Sequence, residues 1–159
     1  MNLTEEFTAL VNHLQNANVE FAVCGGMALA LHGKPRFTND IALLILATDL
    51  PKVLAACKAS GFIDEPELLK LGEQTGRPVE IWRINKFQGE DFMTLDLVLT
   101  CPVMDDVWKG RTRFQWREQS FDVVTAAGLA KMKLLAGRPQ DLVDVQSLGF
   151  SINDPVIQP

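Results

Sequence analysis

The stretch Val19–Gly33, V-E-F-A-V-C-G-G-M-A-L-A-L-H-G, constrains the fold more than any other part of the chain. Val19–Cys24 is a short run of β-branched and aromatic residues that reads as a strand. It stops at Gly25-Gly26, and Met27–His32 then reads as a helix closed by Gly33 with Pro35 beyond, the usual stop signals. A backbone without Cβ atoms at such a turn can approach phosphate oxygens, and a helix N-terminus offers free N–H groups. Glycine pairs also occur at strand-to-helix turns for purely steric reasons.

The same alternation continues on both sides. Leu3–Ala17 carries Leu10, Val11 and Leu14 at helical spacing, with Thr4 as a candidate cap and Glu5 and Glu6 in the first turn, where negative charge suits the helix dipole. Asp40–Ala47 is the next strand, and Leu50–Ser60 the next helix, with Thr48 or Asp49 as its cap and Gly61 as its stop. The segment 62–77 has no clear pattern. Strands are expected over Val79–Ile84, Phe92–Thr100, Arg111–Trp116 and Ser120–Val124, and the C-terminal part is helical. That order predicts an α/β (α+β) domain on a small mixed sheet with helices packed against it. With 159 residues the chain suits one domain, expected over 1–150, with 151–159 as a loose tail containing Pro155 and Pro159.

Several classes are excluded on composition. The longest apolar run, Ile41–Ala47, is far below the roughly 20 residues a bilayer span needs. Glu5 and Glu6 stand where a signal peptide carries Lys or Arg, so a cytoplasmic location is expected. Cys24, Cys57 and Cys101 are widely spaced in apolar surroundings and read as reduced, buried thiols. A net charge of -5 argues against a surface that grips nucleic acid all round. One basic stretch stands out: Lys109–Arg117, K-G-R-T-R-F-Q-W-R, has Lys109, Arg111, Arg113 and Arg117 on odd positions and Phe114 and Trp116 on even ones. A strand would put the charges on one face, as a solvated edge or as a phosphate-tracking stripe.

The residues with chemical potential are carboxylates and cations in apolar settings. Asp40 opens one strand and Asp96 sits inside another, L-D-L-V-L. Carboxylates there are costly to bury unless paired or metal-bound, so they suggest either a shared site for an oxygen-ligated metal or separate arginine pairs. Lys133 falls in the middle of the apolar stripe of its helix while Lys131 points away, so Lys133 must snorkel or face something negative. Gly137-Arg138-Pro139 then breaks the helix, and a new one is expected with Asp141 in its first turn and Leu142, Val145 and Leu148 on its buried face. A glycine loop, carboxylates and cations are together the parts that phosphoryl and nucleotidyl transfer require.

At these residues the chain resembles a known family. Gly25–Ile45, G-G-M-A-L-A-L-H-G-K-P-R-F-T-N-D-I-A-L-L-I, is similar to the signature of minimal nucleotidyltransferases of the DNA polymerase β superfamily, in particular the AbiEii-like toxin group. Gly25, Gly26, Arg36, Thr38 and Asp40 match at the family's spacing, Asp96 matches its third carboxylate, and Gly128–Val145 resembles its C-terminal stretch with Lys133, Arg138 and Asp141 in place. The resemblance implies a nucleotidyltransferase fold that uses NTP with Mg²⁺ or Mn²⁺. It implies that Gly25 and Gly26 face the phosphates, that Asp40 and Asp96 hold metal, that Lys133 contacts the triphosphate, and that Arg36 and Thr38 support the loop or phosphates. Arg138 and Asp141 would bind nucleotide or form a structural pair at the helix break.

The departure is Ala42. The family's Asp-x-Asp places a second, bridging carboxylate there, and its loss should lower metal affinity and rate steeply. Either this chain binds nucleotide or a partner without turnover, or the alanine replaces an aspartate in a disabled form; the otherwise intact pattern favours the second. The expected activity of the undisabled form is transfer of NMP from NTP to a hydroxyl of RNA, such as tRNA, or of protein, as a toxin with a cognate antitoxin. The alternatives are a non-catalytic binding pseudoenzyme and a small-molecule (antibiotic) nucleotidyltransferase.

Overall fold

The computed structural model describes Met1–Pro159 except Arg36, Gln74, Thr75 and Arg77. The opening helix, α1 (Leu3–Asn16), buries Phe7, Leu10, Val11 and Leu14 along one stripe. Its cap is Asn2 rather than the expected Thr4: the Asn2 Oδ1 accepts from the Glu5 N–H at 3.1 Å. A cap must lie just before the first helical turn, and the helix starts at Leu3, two residues earlier than a Thr4 cap allows.

The strand β1 (Ala22–Cys24) runs directly into α2 (Gly25–Leu31), and β2 (Asp40–Ile45) and α3 (Leu50–Ala59) follow. The patternless segment holds a strand that the sequence did not disclose, β3 (Glu67–Leu71), whose residues are exposed or only half-buried. Without a buried face there is no alternation to read. Next come the hairpin of β4 (Val79–Gln88) and β5 (Asp91–Leu99), the short α4 (Asp105–Lys109), β6 (Thr112–Trp116) and β7 (Gln119–Val123). The chain closes with α5 (Ala126–Ala136) and α6 (Pro139–Ser147).

Among the described residues the strands form one seven-stranded sheet in the order β3-β4-β5-β2-β1-β7-β6. The β2–β5 and β1–β7 pairs are parallel and the others antiparallel, so the sheet is mixed as expected. On one face α1 covers the β7 end, with Phe7 edge-on to Phe121 and Trp116 at 5.2 and 5.6 Å between ring centroids. Lys86 of β4 donates to Glu6 of α1 at 2.5 Å and to the Ser60 carbonyl beyond α3 at 2.8 Å. The other face carries α2 and α5, which touch each other.

The C-terminal residues correct two expectations. The segment expected to be a loose tail folds into a 3₁₀ turn at Pro155–Ile157 whose Asp154 side chain accepts from the Val156 N–H. Ile157 is fully buried in a small cluster with Ala130 and Val145. In α6 the buried residues are Asp141, Asp144 and Val145, while Leu142 and Leu148 are only half-buried. Two carboxylates on a buried helix face require partners, and Lys133 of α5 and Arg138 at the head of α6 supply them.

No helix among the described residues is long and apolar enough to cross a membrane. The cysteines are free; Cys24 and Cys57 are buried, and Cys101 is only half-buried.

Candidate active site

The floor of the candidate site is a row of four residues across four adjacent strands. Cys24 of β1 lies opposite Ala42 of β2, Ala42 opposite Asp96 of β5, and Asp96 opposite Arg83 of β4. Neighbours in register present their side chains to the same face of a sheet. The face is the one under α5, and the space between them is a cavity of about 320 Å³. Its wall is apolar towards β3, β4, α5 and the 3₁₀ turn before α4, with Leu71, Val79, Ile81, Met132, Leu135 and Met104. Its mouth is polar, with Gly25, Gly26, Thr38 and Asp40.

The glycine pair has a steric duty here. Gly25 has φ +64°, and a Cβ on it would stand 2.8 Å from the Cβ of Ala42. A Cβ on Gly26 would lie 3.1 Å from both Cβ and Oγ1 of Thr38. The start of α2 is therefore pressed against β2 and the loop before it. Thr38 sits beside Asp40, its Oγ1 accepting from the Asp40 N–H at 3.3 Å.

Asp40 stands at the mouth, exposed on one side. Partial burial of its carboxyl raises its pKa, and the negative field of Asp96 raises it further, while Arg83 and Arg138 pull it down. Asp96 is deeper, and it is not free. Arg83 Nε donates to Asp96 Oδ1 at 2.8 Å and Arg83 Nη2 to Asp96 Oδ2 at 3.0 Å, the bidentate fork that binds a carboxylate most firmly. Of the alternatives open for the two aspartates, arginine pairing describes Asp96. Cys24, at the end of the row, is held as a neutral thiol: burial first, then Asp96, pushes its pKa up to about 12.

The C-terminal cations are neutralised from within. Lys133 lines the cavity, but its Nζ lies 3.0 Å from Asp144 Oδ2 and 3.5 Å from Asp141 Oδ1. The negative partner that its place on the stripe demanded is thus α6. Arg138 Nε and Nη2 grip Asp141 at 2.7 and 3.2 Å, and the same carboxylate accepts from the Arg138 N–H at 3.0 Å. The local pair at the helix break is therefore present. Lys131 does point away from Lys133, as expected, but to another helix: it is buried and donates to Asp106 of α4 at 2.8 Å. Arg36 lies outside the described residues.

The basic stretch does not form a stripe. Lys109 ends α4, and Arg117 lies in the β6–β7 turn at φ +54°. Arg111 is spent on Asp122 at 3.0 Å, on the Trp108 carbonyl at 2.8 Å and on Glu20 at 3.5 Å, and Arg113 lies 3.5 Å from Asp122. The aromatics do share a face as expected, Phe114 and Trp116 packing on Phe121.

A metal-bridging arrangement does not fit these residues. Asp40 and Asp96 are two carboxylates without a third between them, and both oxygens of Asp96 are engaged by Arg83. Among the described residues no group of three His, Cys, Asp or Glu side chains could hold a metal ion.

Arg83, Asp144 and the apolar wall escaped the sequence reading. Arg83 shares a face with Val79 and Ile81 by simple alternation, so its oddity was visible; that it meets Asp96 depends on strand register. Asp144 stands three residues after Asp141, and that spacing was the only signal for it.

The mixed sheet with α2 entered from β1 and a cleft roofed by α5 is a nucleotidyltransferase fold. A Thermotoga maritima protein assigned to the nucleotidyltransferases shares it at a TM-score of 0.65, with 12% identity, over 91% of this chain and 90% of its own. The lincosamide antibiotic adenylyltransferase LnuA in its lincomycin-bound form aligns at 0.58, with 12% identity, over 91% of this chain and 95% of its own. ANT(2'')-Ia in complex with adenylyl-2''-tobramycin aligns at 0.57, with 12% identity, over 91% and 87%. No protein-family model and no curated protein sequence matches the chain.

Proposed function

We propose that this chain is a nucleotide-binding protein of the nucleotidyltransferase fold in which transfer is interrupted at Ala42. The phosphates of an NTP would lie at the Gly25-Gly26 mouth beside Thr38, and its base against the apolar wall of β4 and α5. A form with a carboxylate at position 42 would transfer NMP to a hydroxyl. The observation that carries this reading is the row itself: Ala42 stands between Cys24 and Asp96 at the cavity floor, two residues from Asp40 on the same strand face. A carboxylate placed there would complete a triad of acids; an alanine leaves a site that binds without reacting.

The test compares this chain with Ala42→Asp in two measurements, calorimetric titration with each NTP and transfer of label from NTP to acceptor. The expected outcome is nucleotide binding by both and transfer by the aspartate form alone, across a range of Mg²⁺ and Mn²⁺. Failure of both forms to bind any NTP would sink the reading.

The acceptor divides into two readings. A hydroxyl of RNA, such as tRNA, or of protein would accord with a toxin held by an antitoxin, the role that the AbiEii-like resemblance implies. A small-molecule hydroxyl is favoured by a specific observation: two of the arginines that would have tracked an RNA backbone, Arg111 and Arg113, pair with Asp122, Arg111 with Glu20 as well, whereas the cavity wall is apolar. It also accords with the antibiotic adenylyltransferases of similar fold. Label on total RNA or protein from the Ala42→Asp form supports the first, and label on a drug hydroxyl with RNA and protein unlabelled supports the second.

A further inference from the structure

We propose that Arg83 is the resident cation of this cleft: it takes the place of a divalent ion at Asp96, so that the site as it stands does not recruit one. The argument starts from register. Arg83 and Asp96 are directly opposed on antiparallel strands, and the row continues on Arg83's far side to Glu67 of β3. The guanidinium therefore stands between two acids on neighbouring strands. It closes on Asp96 through Nε and Nη2 at 2.8 and 3.0 Å. This fork leaves Nη1 without a hydrogen-bond partner among the described residues, on a side chain that lines the cavity. A planar guanidinium stays charged at every working pH and can serve a carboxylate on one edge and a phosphoryl oxygen on the other.

Ala42 makes this arrangement self-consistent. With no carboxylate beside Asp96, the floor holds one acid deep in the cleft and Asp40 at the mouth, and one guanidinium balances the deep one. A divalent ion at Asp96 would meet a fixed positive charge and too few oxygens to replace its water. Arg83 and Ala42 thus work in the same direction, and restoring an aspartate at position 42 alone leaves the guanidinium in place.

Metal binding can be read without nucleotide, which separates this proposal from the nucleotide reading on which its consequence for ligands rests. Mn²⁺ is titrated into this chain, Ala42→Asp, Arg83→Gln and the double variant, with free Mn²⁺ followed by electron paramagnetic resonance and folding checked by circular dichroism. The expected result is no saturable site in this chain up to millimolar Mn²⁺, and a site in the double variant at least tenfold tighter than in Ala42→Asp. Arg83→Lys on the Ala42→Asp background keeps the charge and should bind no tighter than Ala42→Asp; if the glutamine variants fail to fold, Arg83→Met takes their place as the uncharged side chain. A saturable site in this chain, or equal affinity with and without the positive charge at position 83, overturns the proposal. Titration with ATP in EDTA gives the second reading: undiminished binding supports it, and binding that needs Mg²⁺ overturns it.

Discussion

Two cation–carboxylate assemblies line the same cavity, and they differ in what surrounds them. In the α5–α6 cluster the side chains of Lys133, Asp141 and Asp144 are 8%, 1% and 3% exposed, and the lysine touches both acids. On the cleft floor Arg83 is 38% exposed and Asp96 16%, and the arginine keeps donors to spare. Similar charges therefore have different duties. The first is a sealed clamp between helices, whose ions were desolvated on folding and now depend on one another. The second is open to solvent, screened, and able to exchange partners.

The largest effect should come from the clamp. Lys133→Met leaves two buried carboxylates without their ammonium, and breaking such an assembly costs about 3–5 kcal/mol; urea unfolding reads it directly, and a loss below about 1 kcal/mol would erase the distinction drawn above. Gly25→Ala comes next, because its φ of +64° is strained for alanine and its new Cβ would stand 2.8 Å from Ala42. A cost of about 1–3 kcal/mol is expected, with nucleotide binding falling as α2 is displaced from β2. Arg83→Gln should cost only about 1 kcal/mol, since the pair is partly solvated, while changing what the cleft binds; a destabilisation equal to that of Lys133→Met would make the two regions alike.

The smallest effect sharpens the comparison through pH. The pKa of Asp40 is raised by burial and by Asp96, so its ionised form is less stable in the folded state than in the unfolded one. That penalty is present at neutral pH and disappears as pH falls below the ordinary aspartate range near 4. Asp40→Asn should therefore stabilise the protein at pH 7 by a few tenths of a kcal/mol, the exposure of Asp40 keeping the gain small, and give no gain near pH 3. Thermal melts at the two pH values measure it, and a lower Tm for the variant at pH 7 would reverse the assignment.

Much of the architecture was legible because it is written in short-range pattern. The turn at Gly25-Gly26, the strand bearing Asp96, the helix break at Gly137 and the pairing of Arg138 with Asp141 each depend on residues within one helical turn or on simple alternation. The Thr4 cap failed by two residues because Asn2 was equally able to serve. The strand β3 stayed hidden because it lies at the sheet edge with no buried face. The partner of Lys131 stayed hidden for a related reason: α4 lies against its side of α5, and no helical wheel discloses a helix packed from elsewhere.

Sequence alone settled that this is a mixed α/β domain with a glycine turn and two strand aspartates, because these are properties of residue type and spacing; an acid at position 42 is an expectation of the family resemblance alone. Only the tertiary structure decided that Ala42 lies between Cys24 and Asp96, that Arg83 rather than a third acid meets Asp96, and that Lys133 is claimed by α6. Those outcomes follow from strand register and from the summed burial of distant segments. A shift of one residue in β2, β4 or β5 would turn Ala42, Arg83 or Asp96 to the other face of the sheet.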